Sequence, residues 1–165
     1  MKKIVLTSIA IFFWLASSAQ WFQQASGTSA YLGGVCFPKQ NVGYTVSDAS
    51  QLIKTTDAGT TWAVANTAGS SLYSVYFTDS LHGCAVGAGG TILLTTDAGA
   101  TWNLQTSGVT YALTSVFFLN SSLGVIVGNS GTLLMTNDGG TTWLSKPSGT
   151  TKDLHGVHFT DQNHG

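Results

Sequence analysis

Chemistry in this chain must come from a short roster of side chains. All seven acids are aspartates: Asp48, Asp57, Asp79, Asp97, Asp138, Asp153 and Asp161. All six basic residues are lysines, so the 165 residues include neither glutamate nor arginine. Four histidines (His82, His155, His158, His164) and two cysteines (Cys36, Cys84) complete the set. Three aspartates share one setting: Thr55-Thr-Asp57-Ala-Gly59-Thr-Thr61-Trp62, Thr95-Thr-Asp97-Ala-Gly99-Ala-Thr101-Trp102 and Thr136-Asn-Asp138-Gly-Gly140-Thr-Thr142-Trp143. An aspartate two residues before a glycine has the composition of a tight turn. Its carboxylate accepts backbone N–H bonds inside the turn, and the glycine takes a positive φ. The tryptophan covers apolar surface beside the next strand. Asp57, Asp97 and Asp138, with Gly59, Gly99, Gly140, Trp62, Trp102 and Trp143, therefore read as structural staples and not as catalytic acids. Calcium is the competing chemistry, but one carboxylate per turn suits poorly an ion that takes about 6–8 oxygens.

The staples recur with a period. Asp57, Asp97 and Asp138 are 40 and 41 residues apart, as are Trp62, Trp102 and Trp143. Phe37, Phe77, Phe118 and Phe159 step by 40, 41 and 41, and Gly43, Gly83, Gly124 and Gly165 share that register. A period near 40 residues made of short apolar runs and Gly-rich turns predicts an all-β propeller of four-stranded antiparallel blades. One unit reads as strand a over 72–77, strand b over 83–87, strand c over 91–95 and strand d from 101. Strands a and c read as apolar on both faces, as stacked sheets require. Blade repeats start near residues 32, 72, 113 and 154, giving about 3.5 blades within a propeller region of residues 20–165. Trp21 stands where a strand d would, with no strands a–c before it. An open array of this kind reads as a piece of a longer, closed ring; a ring closed by two copies is the alternative.

The repeat sorts the polar residues by face. In a propeller the b–c and d–a loops share one face and the a–b and c–d turns share the other. The staple aspartates fall on the second face, with Asp79 and Asp161 beside them. Asp48, Tyr111, Asn129, Lys152, Asp153 and His155 fall on or near loops of the first, which makes them the candidate binding face. Tyr31 and Tyr111 are suited to stacking on a sugar or on a partner's side chains. Asp48 and Asp153 are the only candidates for the acid–base pair of a glycan hydrolase, a role in which two carboxyls must meet across a fixed gap. The simpler reading is two solvated loop residues. His82 and His164 occupy equivalent positions one or more blades apart, which points away from a shared ion, and no metal-ligand spacing occurs. No metal or other cofactor is expected.

The Thr-x-Asp-x-Gly-x-Thr-Trp turns resemble the Asp-box, or bacterial neuraminidase repeat. The longer pattern is more discriminating: Leu113, Val116, Phe118, Gly124, Val127-Gly128, Gly131, Leu133 and Thr136, followed by the box. It is similar to the photosystem II stability/assembly factor family and its bacterial relatives, over residues 21–165. The resemblance implies a seven-bladed, exported, non-enzymatic propeller that binds other proteins during assembly. Photosynthetic members carry an arginine patch that this chain lacks. Sialidase chemistry needs an arginine cluster to grip a sugar carboxylate, and a Tyr/Glu nucleophile pair. Neither can be built from these residues. Protein scaffolding is thus the first expectation; the substrate-binding part of a secreted glycoside hydrolase and a glycan-binding module are the others.

Compartment and charge complete the picture. Met1-Lys2-Lys3, the apolar run Ile4–Ala16 and Ser17-Ser18-Ala19 read as a signal peptide over residues 1–19, cleaved after Ala19. The run is shorter than the roughly 20 residues of a membrane span, so no stable membrane insertion is expected after cleavage, and the destination is periplasmic or extracellular. Export permits a Cys36–Cys84 disulfide between neighbouring blades; two small buried thiols is the simpler alternative. A net charge of −1 supplies no field for phosphate backbones, which argues against nucleic-acid binding.

Overall fold

The computed structural model describes residues 23–165. The expected signal peptide and the Trp21 strand lie outside this range. The described residues contain no α-helix, and none of their helical turns is long or apolar enough to cross a membrane.

Twelve strands form three four-stranded antiparallel sheets, each a meander in chain order. Blade 1 is β1 (Leu32–Lys39), β2 (Val42–Ser47), β3 (Gln51–Thr55) and β4 (Ala63–Thr67). Blade 2 is β5 (Leu72–Phe77), β6 (Gly83–Gly87), β7 (Ile92–Thr95) and β8 (Asn103–Gln105). Blade 3 is β9 (Leu113–Phe118), β10 (Gly124–Gly128), β11 (Leu133–Thr136) and β12 (Leu144–Ser145). Strands a of successive blades (β1, β5 and β9) pack side by side, as the inner strands of a propeller do.

The burial pattern corrects one expectation. It is strand b, not a or c, that is buried throughout: every residue of β6 and β10 is buried, and all but Val42 in β2. Strand b lies between a and c in its own sheet. Strand d, on the rim, is mostly exposed. Val35 in β1 is 61% exposed where its blade-2 equivalent Val75 is 4% exposed.

The core consists of two layers, each between blades. One joins blades 1 and 2 through Tyr44, Val46, Leu52, Leu72, Val75, Phe77, Ala85 and Leu93. The other joins blades 2 and 3 around Val86, Ile92, Leu113, Phe118, Ile126 and Leu134. Within each blade the periodic Phe, Gly and Trp form a single unit. Phe77 lies so close over Gly83 that a Cβ there would sit 2.6 Å from its ring, and the same holds for Phe37 over Gly43 and Phe118 over Gly124. The same rings meet the staple tryptophans edge-on, with centroid separations of 5.8 Å for Phe37–Trp62 and 5.9 Å for both Phe77–Trp102 and Phe118–Trp143.

Residues 154–159 continue the register beside β9. Leu154 N–H donates to Gly128 C=O, and Val157 N–H donates to Ser115 Oγ at 3.3 Å. The second bond repeats that from Val116 N–H to Ser74 Oγ, also 3.3 Å, between blades 2 and 3.

Candidate functional site

The three box turns are nearly superimposable in their bonding. In the second, Thr101 N–H and Thr101 Oγ1 donate to the two carboxylate oxygens of Asp97 at 2.8 and 2.6 Å. Thr95 Oγ1 donates to Asp97 Oδ1 at 2.8 Å and itself accepts Gly99 N–H at 2.9 Å. Asp57 and Asp138 are bonded in the same way. These bonds stabilise the charged form. The Thr101 hydroxyl and N–H hold the Asp97 carboxyl at about 2, and those of Thr142 hold Asp138 at about 2. The Thr61 N–H is the leading cause of the lowering at Asp57. Such carboxyls remain ionised at neutral pH and have no proton to donate. The turns also tie the blade's two hairpins together: Ala58, Ala98 and Gly139 N–H donate to Asn41, Leu81 and Ser122 C=O in the a–b turns.

The a–b turns carry a second aspartate motif. Asp79 Oδ1 accepts the N–H groups of Leu81 and His82 at 2.7 and 2.8 Å, and its Oδ2 lies 2.8 Å from His82 Nδ1. Asp161 does the same with Asn163 and His164. Backbone N–H bonds are the leading cause of the lowered pKa at both. His82 and His164 are thus each paired with the aspartate of their own turn, and among the described residues no group of three possible metal ligands occurs.

On the opposite face, the two aspartates considered as an acid–base pair each bond a loop backbone. Asp48 accepts Tyr31 N–H at 3.1 Å, and Asp153 accepts Ser130 N–H at 2.9 Å. Asp48 belongs to the b–c turn of blade 1 and Asp153 to the loop leaving blade 3, and no contact joins them. Asn129 is half-buried; its carbonyl accepts from Thr132 and its N–H donates to Ala112 C=O. Tyr111, Lys152 and His155 are exposed. Tyr31 is also exposed, at 85%.

Sequence reasoning missed a cleft of about 270 Å³ on the box face, between blades 2 and 3. Its walls include Tyr76, Asp79, Leu94, Phe118, Asp138 and Gly139. The signal lay in the repeat alignment: positions 84 and 94 hold Cys and Leu where blade 1 holds Tyr44 and Lys54. Both cysteines are free thiols; burial raises the pKa of each, and Cys84 is fully enclosed.

The family model described as "Photosynthesis system II assembly factor YCF48" matches residues 63–150, just over half of the chain. The chain belongs to this family. A solved structure of YCF48 bound to D1 peptide is 25% identical, with a TM-score of 0.64 over 72% of this chain and 40% of that one. YCF48 from Cyanidioschyzon merolae is 22% identical, with a TM-score of 0.66 over 77% of this chain and 43% of that one. An ancestral GH74 enzyme, 18% identical with a TM-score of 0.65, matches 87% of this chain and 22% of its own length, a likeness of fold alone. No curated protein matches the chain. The chain spans about two fifths of the length of the two YCF48 structures.

Proposed function

We propose that this YCF48-family propeller is exported through its residues 1–19 and acts as a non-catalytic scaffold that binds a protein partner during assembly. The observation that carries the reading is how its carboxylates are used. Box and a–b turn aspartates bond their own turns, and Asp48 and Asp153 bond loop N–H groups in different blades. Rigid turns with exposed side chains between them suit recognition better than proton transfer. The D1 peptide held by a family member at 25% identity supports a polypeptide ligand as the class of partner. The absence of arginine argues for a ligand chosen by apolar and hydrogen-bonding contacts more than by paired carboxylates.

The test is site-specific photo-crosslinking from position 111 in the exporting cell, alongside the Tyr111→Ala variant. Polypeptide adducts, lost in Tyr111→Ala at unchanged melting temperature, are the expected result. Turnover of xyloglucan by the purified full chain, abolished in Asp48→Asn or Asp153→Asn, would overturn the reading in favour of a hydrolase.

A further inference from the structure

The two junctions between blades use the same frame but are filled differently. Between blades 1 and 2, the Ala98 carbonyl in the box turn accepts two bonds from the neighbouring blade. Tyr44 Oη donates at 2.7 Å and Lys54 Nζ at 2.9 Å. The Lys54 ammonium also lies 5.2 Å from the centre of the Tyr44 ring. Between blades 2 and 3 the equivalent carbonyl is that of Gly139, and the equivalents of Tyr44 and Lys54 are Cys84 and Leu94. Neither can supply a donor of that reach, and among the described residues no side chain bonds the Gly139 carbonyl. The tyrosine has instead moved across the ladder. Tyr76 faces Cys84 where Cys36 faces Tyr44, and Tyr76 forms an aromatic wall with Phe118 at a centroid separation of 6.1 Å. What remains is the cleft of about 270 Å³. Asp79 and Asp138 border it.

We propose that this cleft between blades 2 and 3 binds a lysine side chain of a protein partner, taking the place that Lys54 fills between blades 1 and 2. The inference rests on the scaffold reading above and adds a contact on the face opposite Tyr111. The stem would lie between Leu94 and the Tyr76 and Phe118 rings, and the ammonium would reach the Gly139 carbonyl near the two carboxylates. Cation–aromatic attraction and charge-assisted bonding favour this chemistry over a neutral or anionic group. The chain's own blade 1 is the precedent: its Lys54 holds an ammonium against the equivalent carbonyl, that of Ala98 in the box turn of blade 2. His82 is the one cationic group nearby when protonated, and it is already engaged with Asp79.

Nα-acetyl-lysine N-methylamide and its norleucine analogue, which keeps the stem without the ammonium, are titrated into the full chain at pH 8 and followed by amide NMR shifts. Saturable shifts at Gly83, Leu94 and Gly139 with the lysine probe, at least about tenfold weaker with norleucine, are expected for a charge-assisted bond. Leu94→Lys places an internal ammonium where Lys54 stands in blade 1, and should remove the response to the probe. Equal binding of norleucine, or undiminished binding in Leu94→Lys, overturns the site. Partner crosslinking from a probe at Ser121, on the rim of the cleft, that is unchanged in Leu94→Lys also overturns it while leaving the scaffold reading in place. Absence of any polypeptide adduct on the unaltered protein would instead be a failure of that reading.

Discussion

The junction of blades 1 and 2 is closed by the protein's own side chains, whereas the junction of blades 2 and 3 is left open. Their backbones are equivalent: the same Phe-over-Gly contact, the same box turn and the same tie between a–b and c–d turns occur on both sides. The difference lies in the side chains that meet there: Cys36, Tyr44 and Lys54 against Tyr76, Cys84 and Leu94. A repeat protein can therefore keep the residues that shape each blade constant and vary those that meet between blades. The positions that shape a blade are then separate from those that fill a junction.

The sharpest way to break the contrast is to empty the closed junction. Tyr44→Cys should cost about 3–4 kcal/mol, since it deletes a buried ring stacked on Phe77 at 4.0 Å and leaves a cavity. Adding Cys36→Tyr, which reproduces the blade-2 arrangement, should recover part of that loss; chemical denaturation measures both. If the double variant is no more stable than Tyr44→Cys, the exchange of tyrosine and cysteine is not compensation.

Removing a staple should have the next effect. Asp97→Ala takes the acceptor from the Thr101 N–H and from two hydroxyls, and should lower the melting temperature by several degrees, whichever junction is affected. The same carboxylates set the acid limit. Their folded pKa values are depressed, to about 2 for Asp97 and Asp138, so their contribution is fully present above about pH 4 and is lost as pH falls towards 2. Melting curves between pH 5 and 2 should show this decline, shallower in Asp97→Asn.

Two smaller changes sharpen the comparison. Lys54→Met keeps the stem but loses the ammonium bond to Ala98, and should cost about 1 kcal/mol by denaturation, whereas Leu94→Met should be close to neutral. Ala98 adopts φ 58° where Gly139 adopts φ 75°. Ala98→Gly should therefore gain up to about 1 kcal/mol, and Gly139→Ala should lose a similar amount, as left-handed backbone penalises a Cβ. A loss in Ala98→Gly would show that the closed junction already relieves this strain.

The fold was largely legible in the sequence. Phe77, Gly83, Asp97 and Trp102 stand in a fixed register because three of them form one packed unit and the fourth holds the turn that brings the tryptophan to it. Such local constraints repeat with the chain and so appear as a period. Strand limits within blade 2 were read to within one or two residues for the same reason, since glycine and turn residues bound each strand. The complete burial of strand b was not visible. Val-, Ala- and Gly-containing runs such as 83–87 look no more apolar than strand a, and which strand lies in the middle of the layer depends on neighbouring blades.

The sequence by itself determined the blade, because the contacts that define it lie within about 40 residues of chain. It also set the roster of ionisable side chains, aspartates and lysines without arginine or glutamate. Only the tertiary structure decided which carboxylates are occupied and where space remains. Asp48 and Asp153 look alike as loop aspartates, and their bonds to Tyr31 and Ser130 exist only once the loops are folded. The cleft likewise depends on how Tyr76, Leu94, Phe118 and Gly139 from two blades fit together. Volume left between packed surfaces is a property of both surfaces at once, and no single stretch of residues encodes it.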